Sequence, residues 1–188
     1  CVKDFNSDWN VNHHKSGKTI ENGLTVRRFP VKKRDVKRFD EVNFKLMNNI
    51  AITPDEEKTY IEEMVNSPQL YEYIKEKKDG YGAFIYIPYM FGTTYYGIQQ
   101  CPEKSVMIPC FHDESYIYLD IYKSVFEHMA GMIYHAQAEK DLANRVFELG
   151  EVAQAVLGEG LDMNWHGDAE AFIKKYDMRE PFVLYAGR

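Results

Sequence analysis

Four short apolar runs, separated by stretches of helical period, most restrict what this sequence can fold into. They are residues 83–87 (AFIYI), 105–109 (SVMIP), 131–134 (GMIY) and 152–157 (VAQAVL). Residues 91–100 between the first two have the length of a short helix. Residues 114–129 place Tyr118, Tyr122, Val125, Phe126 and Met129 on one helical face, and Ala138, Leu142, Val146 and Leu149 mark the next helix. Apolar runs of this length, bounded by turns and alternating with helices, predict an α/β fold: a parallel sheet with helices on both faces.

Upstream, the first 22 residues read as polar and irregular, and residues 24–29 as a short strand stopped by Pro30. Val36, Phe39, Val42, Leu46 and Ile50 step by three and four, as on an amphipathic helix. Thr53-Pro54-Asp55-Glu56 and Ser67-Pro68 open two more helices. Downstream, residues 168–176 read as a helix and residues 182–186 as a strand.

In an open parallel sheet, ligands gather beyond the carboxyl ends of the strands. That directs attention to residues 88–94, 110–115, 135–139, 158–162 and 187–188. His112 follows a strand and precedes a helix start, where a side chain can face a ligand. Asp113 and Glu114 either act beside it or cap the following helix with Ser115. Tyr89, Thr93 and Thr94 offer a ring and hydroxyls suited to a sugar or lipid-linked polyol; the alternative is that Thr93 caps a helix while the neighbouring tyrosines pack. One His with two adjacent carboxylates does not make a metal site. Neither a phosphate-binding glycine loop nor a GxSxG elbow occurs.

Lys and Arg number 23 and Asp and Glu 29, so the net charge of −6 argues against nucleic acid as a partner. The exception is a basic run from Arg27 to Arg38, in which Lys32, Lys33 and Arg34 are candidates for meeting an anionic membrane surface; a solvated helix face is the alternative. Three cysteines without CxxC spacing favour a reducing compartment, with Cys110 as a small core residue. No apolar stretch reaches the ~20 residues of a membrane span, and no signal-peptide pattern is visible. The expected location is cytoplasmic, peripheral at the inner face of the membrane.

Several segments, in order along the chain, resemble the amino-terminal half of group 1 (family 4) glycosyltransferases. These are Leu24-Thr-Val-Arg-Arg-Phe-Pro30, Arg34-Asp35, Ser67-Pro68, Pro109-Cys-Phe-His-Asp-Glu114, and Gly131-Met-Ile-Tyr134 with Ala138-Glu139. Pro181-Phe-Val-Leu-Tyr-Ala-Gly-Arg188 resembles the first strand of that family's carboxyl-terminal half. The resemblance implies one Rossmann-like lobe of a two-lobe GT-B fold. Residues 1–162 would form the acceptor-side lobe without its first strand, 163–180 an interlobe helix, and 181–188 the start of the nucleotide-binding lobe. It also implies a retaining hexosyl transfer from a nucleotide-sugar donor to a sugar or lipid-linked acceptor, with no metal and no other cofactor. By resemblance, His112 would contact the donor sugar with Asp113 beside it, and Arg188 would hold the donor diphosphate. The chain alone is then expected to be inactive. Where the family often carries Asn-Ser/Thr, His135-Ala136 stands here, which removes the hydroxyl that would partner Glu139. The rival expectation is a stand-alone, non-catalytic Rossmann-like binding module.

Overall fold

The structure is a computed structural model that describes residues 1–4, 6–158, 160, 164 and 166–185. It divides into two compact units, Cys1–Gly158 and Glu159–Arg188.

The first unit opens with a hairpin the sequence reading leaves out. Strands β1 (Gly17–Glu21) and β2 (Leu24–Arg28) pair antiparallel, from Gly17 opposite Arg28 to Glu21 opposite Leu24. Asn22 and Gly23 turn between them with φ of 50° and 79°, the left-handed conformations that a two-residue hairpin loop requires. Helix α1 (Val36–Met47) begins where the Asp35 carboxylate accepts from the Arg38 amide. Helix α2 (Pro54–Glu63) starts on a capping box in which Thr53 and Glu56 satisfy each other's amides. Helix α3 (Pro68–Lys77) follows.

The remainder alternates strand and helix: β3 (Phe84–Tyr86), α4 (Gly92–Ile98), β4 (Ser105–Met107), α5 (Asp120–Phe126), β5 (Gly131–Tyr134), α6 (Gln137–Val146) and β6 (Ala153–Val156). The four strands form one parallel sheet in the order β3-β4-β5-β6, flanked by helices in the Rossmann-like α/β manner. The register sends Tyr86, Met107, Met132 and Tyr134 to one face, where the last three are fully buried with Tyr122, Phe126 and Ile98. Ile85, Val106 and Ile133 point to the other face, and Ile85 is 64% exposed.

The long helix expected over residues 114–129 is instead a 3-10 turn (Ser115–Tyr118), an extended Leu119, and then α5. The break is stabilised from a distance. The Glu57 carboxylate on α2 accepts from the Asp120 and Ile121 amides at 3.3 and 3.0 Å, so α5 receives its cap from another helix.

In the second unit, α7 (Ala169–Tyr176) is capped by Asp168, whose carboxylate accepts from the Ala171 amide at 2.9 Å. Residues 182–185, expected as a strand, belong to no β-ladder. Without a neighbouring strand their apolar side chains alone do not make one.

Candidate functional site

The carboxyl ends of β4 and β5 are joined by one buried carboxylate. Glu139, 8% exposed on α6, accepts from the Phe111 amide through Oε1 and from the His135 amide through Oε2, each at 2.8 Å. A strand end normally leaves its last amides without ladder partners. Here a single side chain satisfies one amide beyond each strand and ties the two loops together. The α6 N-terminus carries no side-chain cap at Ala136, as the missing hydroxyl implies, and Glu139 serves the strand ends in addition to its first-turn position.

Between those two anchors sits a second contact. Cys110 adopts a left-handed φ of 57°, and its Sγ lies 3.6 Å from His135 Nε2. Cys110 is half-buried, which corrects its expected place as a core residue. His112, two residues on, is exposed, and its carbonyl accepts from the Glu114 amide at 2.9 Å. Asp113 turns outward, accepting from the Tyr118 hydroxyl and the Arg145 guanidinium at 2.6 Å each. The Tyr118 hydroxyl, seconded by the Arg145 charge, holds its carboxyl below the usual carboxylate range. Neither Asp113 nor Glu114 caps the next element: the 3-10 turn has no side-chain cap, and Ser115 donates instead to the Leu46 carbonyl.

The turn after β3 is organised differently. Tyr89 is fully buried, its ring 4.9 Å from Phe111 and 5.4 Å from Tyr122, its hydroxyl donating to Glu114 at 3.4 Å. Burial pushes its phenol well up. Thr94, also buried, donates to the Pro88 carbonyl at 2.7 Å. Gly92 lies so close to Asn66 that a Cβ there would meet its side-chain amide at 2.6 Å. Thr93 is half-buried and borders an open cleft of about 460 Å³ that Arg27, Tyr73, Tyr81 and Ile87 also line. Thr94 lines the same cleft with its hydroxyl committed to Pro88, whereas the Thr93 hydroxyl has no such partner among the described residues.

The basic run does not act as one patch. Arg28 pairs with Glu21, Arg27 lies over the Tyr73 ring at 4.6 Å, and Arg38 reaches Glu63 and Thr59. Arg34 is an internal clamp. Its guanidinium lies 4.4 Å from the Phe39 ring centroid and 4.8 Å from that of Trp9, and donates to the Glu63 carbonyl at 2.9 Å. Burial lowers its affinity for its proton. Lys32 and Lys33 are exposed.

Arg188 lies outside the described residues, as do Glu159, Leu161 and Asp162 of the 158–162 segment. Among the described residues no group of three or more His, Cys, Asp or Glu side chains is placed to hold a metal ion, and no helix is long and apolar enough to cross a membrane. Sequence reasoning placed His135 and Glu139 in a segment to inspect but gave neither a role. The signal was available: an acid one turn into a helix that follows a strand can reach back to that strand's end.

Comparison with protein-family models, with curated proteins and with solved structures finds no match to this chain.

Proposed function

We propose that this chain is the acceptor-side lobe of a retaining glycosyltransferase that moves a hexosyl group from a nucleotide-sugar to a sugar or lipid-linked acceptor. The observation that carries the reading is His112: an exposed imidazole at the carboxyl edge of a parallel sheet, on a loop whose base Glu139 holds rigid. Such an edge is where the α/β architecture presents side chains to ligands. In this reading His112 hydrogen-bonds the donor sugar, Thr93 reaches the acceptor, and Arg188 holds the diphosphate. A guanidinium there would stabilise charge building on the departing nucleotide. Asp113, engaged by Tyr118 and Arg145, positions the loop.

Turnover of a panel of nucleotide sugars by the complete gene product, with simple glycosides as acceptors, tests this. Transfer with retention at the anomeric carbon is the expected result. Sugar binding without transfer would favour the non-catalytic module instead.

The reading includes a peripheral encounter with the inner, anionic face of a membrane through Lys32 and Lys33. Each contributes about 1 kcal/mol near such a surface, so vesicles containing anionic lipid should retain the chain weakly and lose it in high salt. Retention that survives Lys32→Glu with Lys33→Glu would place the contact elsewhere.

A further inference from the structure

We propose that Cys110 and His135 form a nucleophile–base pair, and that Cys110 is a site of thiol–disulfide exchange with small disulfides. The proposal is independent of sugar transfer.

Three observations carry it. The sulfur and an imidazole nitrogen, carried on the loops after two adjacent parallel strands, lie 3.6 Å apart. The pair is preorganised, because the residue after Cys110 and His135 itself donate their amides to the two oxygens of Glu139. Cys110 is also accessible, being half-buried at the carboxyl edge beside exposed His112. A thiol becomes a nucleophile when a positioned base removes its proton, and a nucleophile within reach of an oriented base is the arrangement that does so. Glu139 is then a positioning residue.

The other thiols provide an internal contrast. Cys101 is fully buried, its Sγ donating to Glu103 at 3.3 Å, and burial pushes its thiol up. Cys1 is half-buried in the amino-terminal segment. The Cys1 thiol donates to the Val2 carbonyl and the Cys101 thiol to a carboxylate, whereas the Cys110 sulfur has an imidazole nitrogen within reach.

The step balances without an added oxidant. His135 Nε2 takes the Cys110 proton, and the sulfur attacks one sulfur of the incoming disulfide. The Cys110 S–S bond forms as the original S–S bond breaks. The departing thiolate then takes the proton from the imidazolium, so one disulfide replaces another. The adduct would stand next to His112 and obstruct the carboxyl edge of β4. Among the described residues, the ionisable groups on the surrounding elements are Glu139, Lys140, Asp141 and Arg145 on α6, and His112, Asp113 and Glu114 on the loop after β4.

The test treats the 188-residue chain with a chromogenic aromatic disulfide across the pH range, and assigns adducts to each cysteine by peptide mass spectrometry. Cys110 should react at least ~10-fold faster than Cys1 at neutral pH, with an inflection below the ~8.5 of a free thiol. In His135→Gln the neutral-pH rate at Cys110 should fall about 10-fold and the inflection should rise, while rates converge at alkaline pH, where any thiol is ionised. Reaction at Cys110 no faster than at Cys1 overturns the proposal. So does a His135→Gln profile that superimposes on the parent's. The parent profile needs no variant, so a His135→Gln chain that misfolds still leaves the proposal open to refutation.

Discussion

The turns after β3 and β4 leave the same edge of the same sheet, and both are rich in polar residues. In the first, polarity is spent inward: the Tyr89 hydroxyl meets Glu114, Thr94 meets the Pro88 carbonyl, and Gly92 closes on Asn66. In the second, the backbone is held from beneath by Glu139 while His112 and Cys110 stay accessible. A hydroxyl-rich turn is therefore weak evidence for a binding site until its internal partners are known. A turn whose amides are held by another element can offer its own side chains to a ligand.

The contrast fails most visibly if Glu139 is not the brace. Glu139→Ala leaves the Phe111 and His135 amides without their acceptor. Hydrogen bonds to a charged group contribute about 1.5–3 kcal/mol each, so the loss should be about 3–6 kcal/mol in denaturant unfolding. Glu139→Gln keeps one acceptor oxygen and should cost about half as much. A loss below about 1 kcal/mol for the alanine variant would mean the strand ends find other partners.

The same comparison predicts the opposite for His112. In the complete gene product His112→Ala should lower turnover by roughly 100-fold, the scale of a polar contact made mainly in the transition state. Its unfolding midpoint should stay near the parent's, because an exposed side chain away from caps and core shifts stability by about ±0.5 kcal/mol. Equal losses of activity and stability would make His112 part of the scaffold.

How much of this was legible follows from where each signal lives. The four parallel strands were readable because their apolar runs are local, and α2 because Thr53 and Glu56 lie three residues apart. β2 was readable as a strand ending before Pro30, but its partner β1 was missed although Asn22-Gly23 is a strong hairpin signal. β1 is exposed throughout and shows little apolar alternation. The break before α5 was invisible because its cap, Glu57, is 63 residues from Asp120. The edge and its exposed His112 were anticipated; the Glu139 brace beneath them was not. Tyr89 and Thr94 have the composition of a sugar site, and only the fold shows their hydroxyls consumed. Arg34 looked like one charge in a basic run, and only the fold brings Trp9 and Phe39 against it.

A smaller effect separates the two threonines of the first turn. Thr94→Val removes a buried hydrogen bond and leaves the Pro88 carbonyl without it, which should cost about 1–2 kcal/mol in unfolding free energy. Thr93→Val should stay within about 0.5 kcal/mol. In the complete gene product it should weaken acceptor binding, seen as a raised KM. If the two costs are reversed, the first turn is not closed on itself in the manner described.

The smallest expected effect concerns Asp113, which distinguishes an exposed latch from the buried brace beside it. Its carboxyl is held below the ordinary range by the Tyr118 hydroxyl first and by Arg145 second. A depressed folded-state value means that whatever Asp113 adds to stability is present above the ordinary carboxylate value near 3.9, and is lost as pH falls through the lowered one. Both Asp113 and Arg145 are well exposed, so solvent screens the pair and Asp113→Asn should move the melting temperature by only about 2 °C at neutral pH. The sharper readout is a carbon-13 NMR titration of the Asp113 carboxyl. The parent should inflect below the ordinary value, and Tyr118→Phe should raise the inflection more than Arg145→Gln does. If Arg145→Gln has the larger effect, the charge and not the hydroxyl holds Asp113. If neither variant moves the inflection, the loop beyond His112 is not latched by this pair, and its rigidity rests on Glu139 alone.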